Sequence, residues 1–102
     1  MNNLNPNDGI RRLILDNALT IYTAADTKLV LSNVLNGAQE LRLNLSAVEE
    51  VDCAGLQLLL AVCQEAQRQH ISLHLEEASL AITELLQLSG LRGLLPFGEQ
   101  HP

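Results

Sequence analysis

Val48–Ala66, VEEVDCAGLQLLLAVCQEA, is the stretch that decides the fold. A short apolar segment runs into the tight turn Asp52-Cys53-Ala54-Gly55, and the leucines that follow repeat with the period of a helix. The turn places the small side chain of Cys53 at a helix N-terminus, where backbone N–H groups lack partners and the helix dipole is positive. Such a position suits a hydroxyl that awaits phosphate, or any anionic contact, although the side chain here is a thiol.

The helix after this turn is predicted to span about residues 54–69. Spacing of i, i+3, i+4 and i+7 defines its core face, which comprises Leu56, Leu59, Leu60, Cys63 and Ala66. Leu58, Ala61 and Val62 fall on the opposite face, which predicts exposed apolar residues beside the turn. These residues are either ordinary surface aliphatics or a contact patch, and their position next to the turn favours the patch.

The N-terminal part predicts an antiparallel hairpin. Residues 10–15 and 19–22 are rich in β-forming side chains and flank the turn residues Asp16 and Asn17. Thr23 and Asp26 then form an [ST]-x-x-[DE] pattern, which predicts that the Thr23 side chain caps a helix beginning near Ala24. Its predicted apolar stripe consists of Val30, Leu31, Val34 and Leu35, and Gly37 is placed to end it.

Alternating apolar residues predict further strands, at residues 41–45, 48–51 and 71–75. Ser79 is positioned to cap a last helix that runs to about Leu88, and Gly90 is positioned to end it. The alternation of strands and helices predicts an α/β fold with a mixed β-sheet and helices packed against it. The 102 residues are enough for a single compact domain, with residues 1–9 and 95–102 predicted as flexible tails.

Composition excludes several classes of function. The formal net charge of −6 and the absence of tryptophan, with Tyr22 and Phe97 the only aromatic residues, argue against nucleic-acid binding. The six basic residues are scattered, so they offer no polybasic membrane surface. Without an apolar run of transmembrane length or a signal peptide, the sequence predicts a cytoplasmic protein with no direct membrane insertion.

Three segments, LTIYTAAD at 19–26, VDCAGLQLLL at 51–60 and ITELLQLSGLRGLL at 82–95, resemble the STAS family of sulfate-transporter and anti-sigma-factor-antagonist domains. The pattern is most similar to small stand-alone STAS proteins of bacterial chemotaxis operons. The resemblance implies a STAS-like sheet and a non-catalytic, protein-binding role in bacterial signalling. Regulatory members carry Ser or Thr at the position of Cys53, so the thiol predicts that this phosphorylation-equivalent position is not phosphorylated.

The expected partner-binding surface is the turn and the outward face of its helix: Asp52, Cys53, Ala54, Gly55, Gln57, Leu58, Ala61 and Val62. The resemblance implies a protein partner, either an anti-sigma factor of the histidine-kinase-like ATPase class or a chemotaxis component. The alternative is a small STAS subunit that braces the ATPase of a phospholipid-transport ABC system. We find no phosphate loop, no nucleophile and base pair and no ligand set, so we predict no enzyme activity, metal or cofactor.

Each residue of the turn also has a purely structural interpretation. Asp52 can serve only as a helix cap, and Gly55 can serve to let two backbone segments approach closely. Cys53 is more readily a small filler or inert contact residue than a redox sensor. Cys53 and Cys63 are ten residues apart in one helix, about 15 Å along its axis, which predicts two free thiols.

Overall fold

The computed structural model describes residues 9–97, apart from the side chain of Arg92. The elements along these residues are β1 (Ile10–Ile14), α1 (Ala24–Leu35), β2 (Glu40–Asn44), α2 (Cys53–Arg68), β3 (Ser72–Glu76), α3 (Leu80–Ser89) and a 3₁₀ turn (Arg92–Leu94). Helices therefore alternate with strands along the chain. The predicted α/β class, with helices packed against a sheet, is confirmed.

The sheet is built around β2, which lies between β1 and β3. Leu41, Leu43 and the following Leu45 are fully buried, and the residues between them point to the other face. On that face Arg42 pairs with Glu40 at 2.6 Å and with Glu76 at 2.8 Å, which joins β2 to β3. One face of β2 therefore forms the core, and the other carries paired charges.

The predicted N-terminal hairpin is wrong. β1 pairs in parallel with β2, and Leu19 makes an isolated parallel bridge with Val51 instead of pairing with β1. The residues after Leu19 form a turn, closed by the hydrogen bond from the Thr23 N–H to the Thr20 carbonyl at 3.1 Å. The β-forming side chains of 19–22 misled the prediction because tertiary context overrides β propensity. Among residues 9–97 the sheet is parallel rather than mixed.

Two other local predictions need correction. Residues 48–51 were expected to form a strand, but they contribute only the bridge at Val51. α1 begins at Ala24 as predicted, yet the Thr23 side chain does not cap it. The Thr23 hydroxyl instead donates to the Ala18 carbonyl at 2.7 Å and accepts from the Thr20 N–H at 3.0 Å, so it closes the preceding turn.

The predictions for helix ends further along the chain are confirmed. Gly37 follows α1 with φ of 81°, and Gly90 follows α3 with φ of 74°, a left-handed conformation that glycine adopts without strain. The Ser79 hydroxyl accepts a hydrogen bond from the Ile82 N–H at 3.2 Å, which caps α3. These signals are local, so they can be read without knowledge of the tertiary fold.

α2 is buried along two stripes rather than one. The predicted core residues Leu56, Leu59, Cys63 and Ala66 are buried, and Leu60 packs partly against them. The prediction that Leu58 and Val62 are exposed is wrong, because they retain only 8% and 7% of their accessible surface. They line a shallow groove of about 270 Å³ together with Leu35 and Ser32 of α1. The periodicity of a single face could not reveal that α2 also packs against α1.

The predicted tails lie mostly outside residues 9–97. Within the described part, Leu95 is buried and Phe97 forms a parallel bridge with Leu75 of β3. The chain therefore returns to the edge of β3 after the last helix.

The burial of Leu58 gives a direct test of the α1–α2 contact. Leu58→Ala is expected to lower the free energy of unfolding by about 2 to 5 kcal/mol, because it leaves a cavity between the helices. Gln57→Ala, at the exposed neighbouring position, is the control and is expected to change it by less than about 0.5 kcal/mol. Urea denaturation measures both, and equal midpoints for the two variants would contradict the packing.

Candidate functional site

Asp52 is the cap of α2, and its carboxylate bonds to two separate segments. Oδ1 accepts from the Gly55 N–H at 2.9 Å, within the first turn of α2. Oδ2 accepts from the Ile21 N–H at 3.0 Å, in the turn that precedes α1. The expected capping role is confirmed, and the second bond joins the starts of the two helices.

These two hydrogen bonds favour the charged form of the carboxyl. The Ile21 N–H is the larger cause and the Gly55 N–H the next, and together they hold the pKa of Asp52 below its ordinary value of 3.8. Asp52 therefore remains a carboxylate throughout the physiological pH range, as an acceptor of two backbone N–H groups must.

The backbone around Leu19 is joined directly to the chain that leads into α2. The Leu19 N–H donates to the Glu50 carbonyl at 2.8 Å, and the Asp52 N–H donates to the Leu19 carbonyl at 3.0 Å. A Cβ on Gly55 would lie 2.0 Å from that same Leu19 oxygen. The predicted close approach at Gly55 is thus confirmed, and its counterpart is the backbone of Leu19.

Cys53 is the first residue of α2, and its side chain is exposed. Cys63 is buried in the core, where burial raises the pKa of its thiol to about 11. Both cysteines are free, as the sequence predicted. The thiol at Cys53 is therefore the one that a partner can reach.

The structure divides the predicted partner-binding residues into three groups. Cys53, Gln57 and Ala61 are exposed, Asp52 and Ala54 are partly exposed, and Gly55, Leu58 and Val62 are buried. The accessible part is the turn and one narrow stripe of α2. The buried residues shape this surface from behind, and Leu58 and Val62 also line the groove between α1 and α2.

Sequence reasoning missed two residues that the fold brings to this site. Ile21 bonds to Asp52 through its backbone, and the neighbouring Tyr22 is 93% exposed. Both were assigned to a strand, so their exposure was not anticipated. The signal that could have revealed them is their place directly before Thr23, the residue that precedes α1.

Residues 9–97 lack two features that other functions would require. No group of three or more His, Cys, Asp or Glu side chains there is arranged to hold a metal ion. None of the helices in that range combines the length and apolar character needed to cross a membrane.

Comparison with known protein families shows to which family this chain belongs. A family model described as "Mlab, STAS domain" matches residues 7–96. The chain belongs to the STAS domain family. The match includes the Asp52–Gly55 turn and all three helices, so the fold and the resemblance agree. No curated protein matches the chain significantly by sequence.

Solved structures of STAS proteins share this fold. A candidate anti-sigma factor antagonist from Thermotoga maritima is 22% identical with a TM-score of 0.76, over 91% of this chain and 81% of that one. The anti-sigma factor antagonist SpoIIAA in its unphosphorylated form is 16% identical with a TM-score of 0.67, over 90% of this chain and 83% of that one. A sulfate transporter family protein from Wolinella succinogenes is 17% identical with a TM-score of 0.70, over 88% and 76%. At these identities the likeness establishes the STAS fold, which is the fold predicted from the sequence.

Gly55→Ala tests the contact between α2 and Leu19. The added methyl group would collide with backbone atoms that cannot rotate away, so we expect a loss of about 3 kcal/mol. That loss exceeds the gain of about 1 kcal/mol that alanine brings to a helix. Gly93→Ala is the control, because a Cβ there meets nothing within 4 Å. Thermal melts of the two variants that coincide would refute the close approach.

The hydrogen bonds of Asp52 predict a defined pH dependence. The pKa of Asp52 in the folded protein lies below 3.8. The carboxylate therefore contributes fully to stability above pH 3.8, and this contribution is lost as the pH falls through the pKa of the folded state. In Asp52→Asn an N–H of the amide must face one of the two backbone N–H donors, which weakens the fold near neutral pH. We expect the difference in melting temperature from wild type to shrink below pH 3.8.

Asp26→Asn, which changes an exposed carboxylate in the first turn of α1, controls for the loss of a surface charge. Calorimetry across the acid range measures all three proteins. If the difference in melting temperature between wild type and Asp52→Asn stays constant down to complete acid unfolding, the role of the ionised carboxylate is contradicted.

Proposed function

We propose that this chain is a non-catalytic protein-interaction module in bacterial cytoplasmic signalling, of the anti-sigma-factor-antagonist or chemotaxis-associated kind. The observation that carries the proposal is the exposed Cys53 at the start of α2, beside a capped and firmly held turn. A surface of this kind presents a fixed shape to a partner without any catalytic group. STAS relatives include anti-sigma factor antagonists, and this supports the assignment.

The docking surface in this proposal is the accessible part of the predicted site. It consists of Asp52, Cys53, Ala54, Gln57 and Ala61. Gly55 brings the turn against Leu19, and Leu58 and Val62 hold α2 against α1. The partner is a protein, of the histidine-kinase-like ATPase class or a chemotaxis component.

The thiol at Cys53 separates this module from a phosphorylation switch. A phosphate on a hydroxyl at a helix start adds nearly two negative charges and changes which partner can dock. Cys53 lacks that hydroxyl, so docking in this proposal is constitutive and depends on shape. A partner would then be released by its own conformational change rather than by modification of this chain.

A small STAS subunit that braces the ATPase of a phospholipid-transport ABC system is the second candidate. The description of the matching family model names Mlab, and this supports the phospholipid-transport subunit as a second candidate. Both candidates use the same turn and a protein partner, so they differ only in the identity of that partner.

Site-specific cross-linking in the native host tests the docking surface and separates the two candidates. A photoreactive amino acid replaces Gln57 on the exposed stripe of α2, and the same group at Gln87 on α3 is the control. We expect one protein to be captured at 57 and not at 87. A histidine-kinase-like ATPase or chemotaxis protein supports the signalling role, and an ABC ATPase supports the second candidate. Equal labelling at both positions would contradict the proposed surface.

We also expect that Cys53 does not accept phosphate. The chain is incubated with ATP and the ATPase captured at position 57, and its intact mass is then measured. Cys53→Ser restores the hydroxyl and is the matched comparison, while Cys53→Ala controls for adducts elsewhere on the chain. A phosphate adduct on the wild-type chain that disappears in Cys53→Ala would refute the constitutive assignment.

A further inference from the structure

Two large side chains next to the turn project into solvent. Tyr22 is 93% exposed and Ile21 is 66% exposed, although Tyr22 is one of only two aromatic residues in the chain. A single exposed apolar residue is common on protein surfaces and needs no explanation. An adjacent aromatic and aliphatic pair that the core leaves out is less common, and it offers much more apolar area to a partner.

The backbone that carries this pair is fixed. The Ile21 N–H is bonded to Asp52, and the Tyr22 N–H donates to the Thr20 hydroxyl at 3.2 Å. The Thr23 hydroxyl closes the same turn by bonding to Thr20 N–H and the Ala18 carbonyl. Binding through such a turn loses little backbone entropy, because the chain is already ordered before the partner arrives.

The same bonds place the pair beside Cys53. Asp52 bonds to the Ile21 N–H, and Cys53 follows Asp52 directly and is itself exposed. We call the surface formed by Ile21, Tyr22 and Cys53 the Tyr22 patch. It comprises a phenol ring, an aliphatic side chain and a thiol, on two segments that the Asp52 carboxylate joins.

The surroundings of the Tyr22 patch are acidic. The loops and first helical turns that follow β1 and β2, residues 15–28 and 45–57, contain one base, Lys28, and five carboxylates: Asp16, Asp26, Glu49, Glu50 and Asp52. Both segments follow the carboxyl ends of neighbouring parallel strands, so they lie at one end of the sheet. Arg11 is engaged at the opposite end of α1, where it binds the carbonyls of Val34 and Asn36 at 2.8 Å.

We propose that the Tyr22 patch is an anchor that inserts the Tyr22 ring into an apolar pocket rimmed by Lys and Arg on the protein partner. This inference rests on the proposed function and names the partner surface that the site fits. Tyr is enriched among the hot spots of binding energy at interfaces, and a basic rim complements the five carboxylates. Two copies of this end would repel each other, so self-association through it is disfavoured.

The inference is tested first by the position of the cross-linker. A photoreactive phenylalanine replaces Tyr22 and keeps its aromatic ring, and the same residue replaces Leu88, which is 85% exposed on α3. We expect capture at 22 and not at 88, through a segment of the partner that has apolar residues flanked by Lys or Arg. No capture at 22, or equal capture at 22 and 88, overturns the inference.

Affinity then separates the anchor from the α2 surface. With the purified partner captured at 22 or 57, Tyr22→Ala is expected to weaken binding about thirtyfold or more, while Tyr22→Phe and Leu88→Ala bind as wild type. Melting temperatures of all variants are expected to match, since Tyr22 contributes little buried area. Binding by wild type is also expected to weaken with rising salt, because the rim charges are exposed.

The outcomes distinguish the two proposals. If Gln57→Arg weakens binding and Tyr22→Ala does not, the docking surface on α2 stands and the anchor is refuted. If Tyr22→Ala weakens binding and Gln57→Arg does not, the anchor stands and the α2 surface is refuted. Binding that is insensitive to salt contradicts the basic rim. A concentration-dependent dimer of this chain that Tyr22→Ala dissociates contradicts a separate partner.

Discussion

The carboxylate of Asp52 is the constraint on which the site depends. Its two oxygens bond to N–H groups from segments far apart in sequence, Gly55 in α2 and Ile21 before α1. One side chain thus caps a helix and fixes the position of a second helix start. The conformational entropy of the turn before α1 is already lost when the domain folds, so a partner binds a surface that is already formed.

This bridge requires that α2 and Leu19 approach more closely than ordinary side chains allow. Gly55 makes the approach possible, because any Cβ there would overlap the Leu19 carbonyl. Leu19 is fully buried, whereas Ile21 and Tyr22, two and three residues later, are turned outward. The same packing that completes the core therefore produces the exposed apolar pair, and the proposed docking surface is a consequence of how the two segments join.

Local sequence patterns predict much of the fold. The alternation of leucines in β2, the Ser79 cap and the glycines after α1 and α3 each act within a few residues, so the sequence predicts them correctly. The sequence prediction failed where the environment of a residue depends on other segments. Burial of Leu58 and Val62 results from α1, which covers the second face of α2. Asp52 holds residues 19–22, a stretch rich in β-forming side chains, in a turn. The motif turn could be located from the sequence, but its neighbour Tyr22 could not.

Amide hydrogen exchange at Ile21 tests the central claim most directly, because that N–H belongs to an exposed residue and its partner is the Asp52 carboxylate. The account predicts that the Ile21 amide is protected in the wild-type chain, and that Asp52→Ala removes the protection at Ile21 and Gly55 together while the Leu43 amide in β2 stays protected. An Ile21 amide that exchanges at the rate of an unstructured peptide in the wild-type chain, or that keeps its protection in Asp52→Ala, would contradict the account.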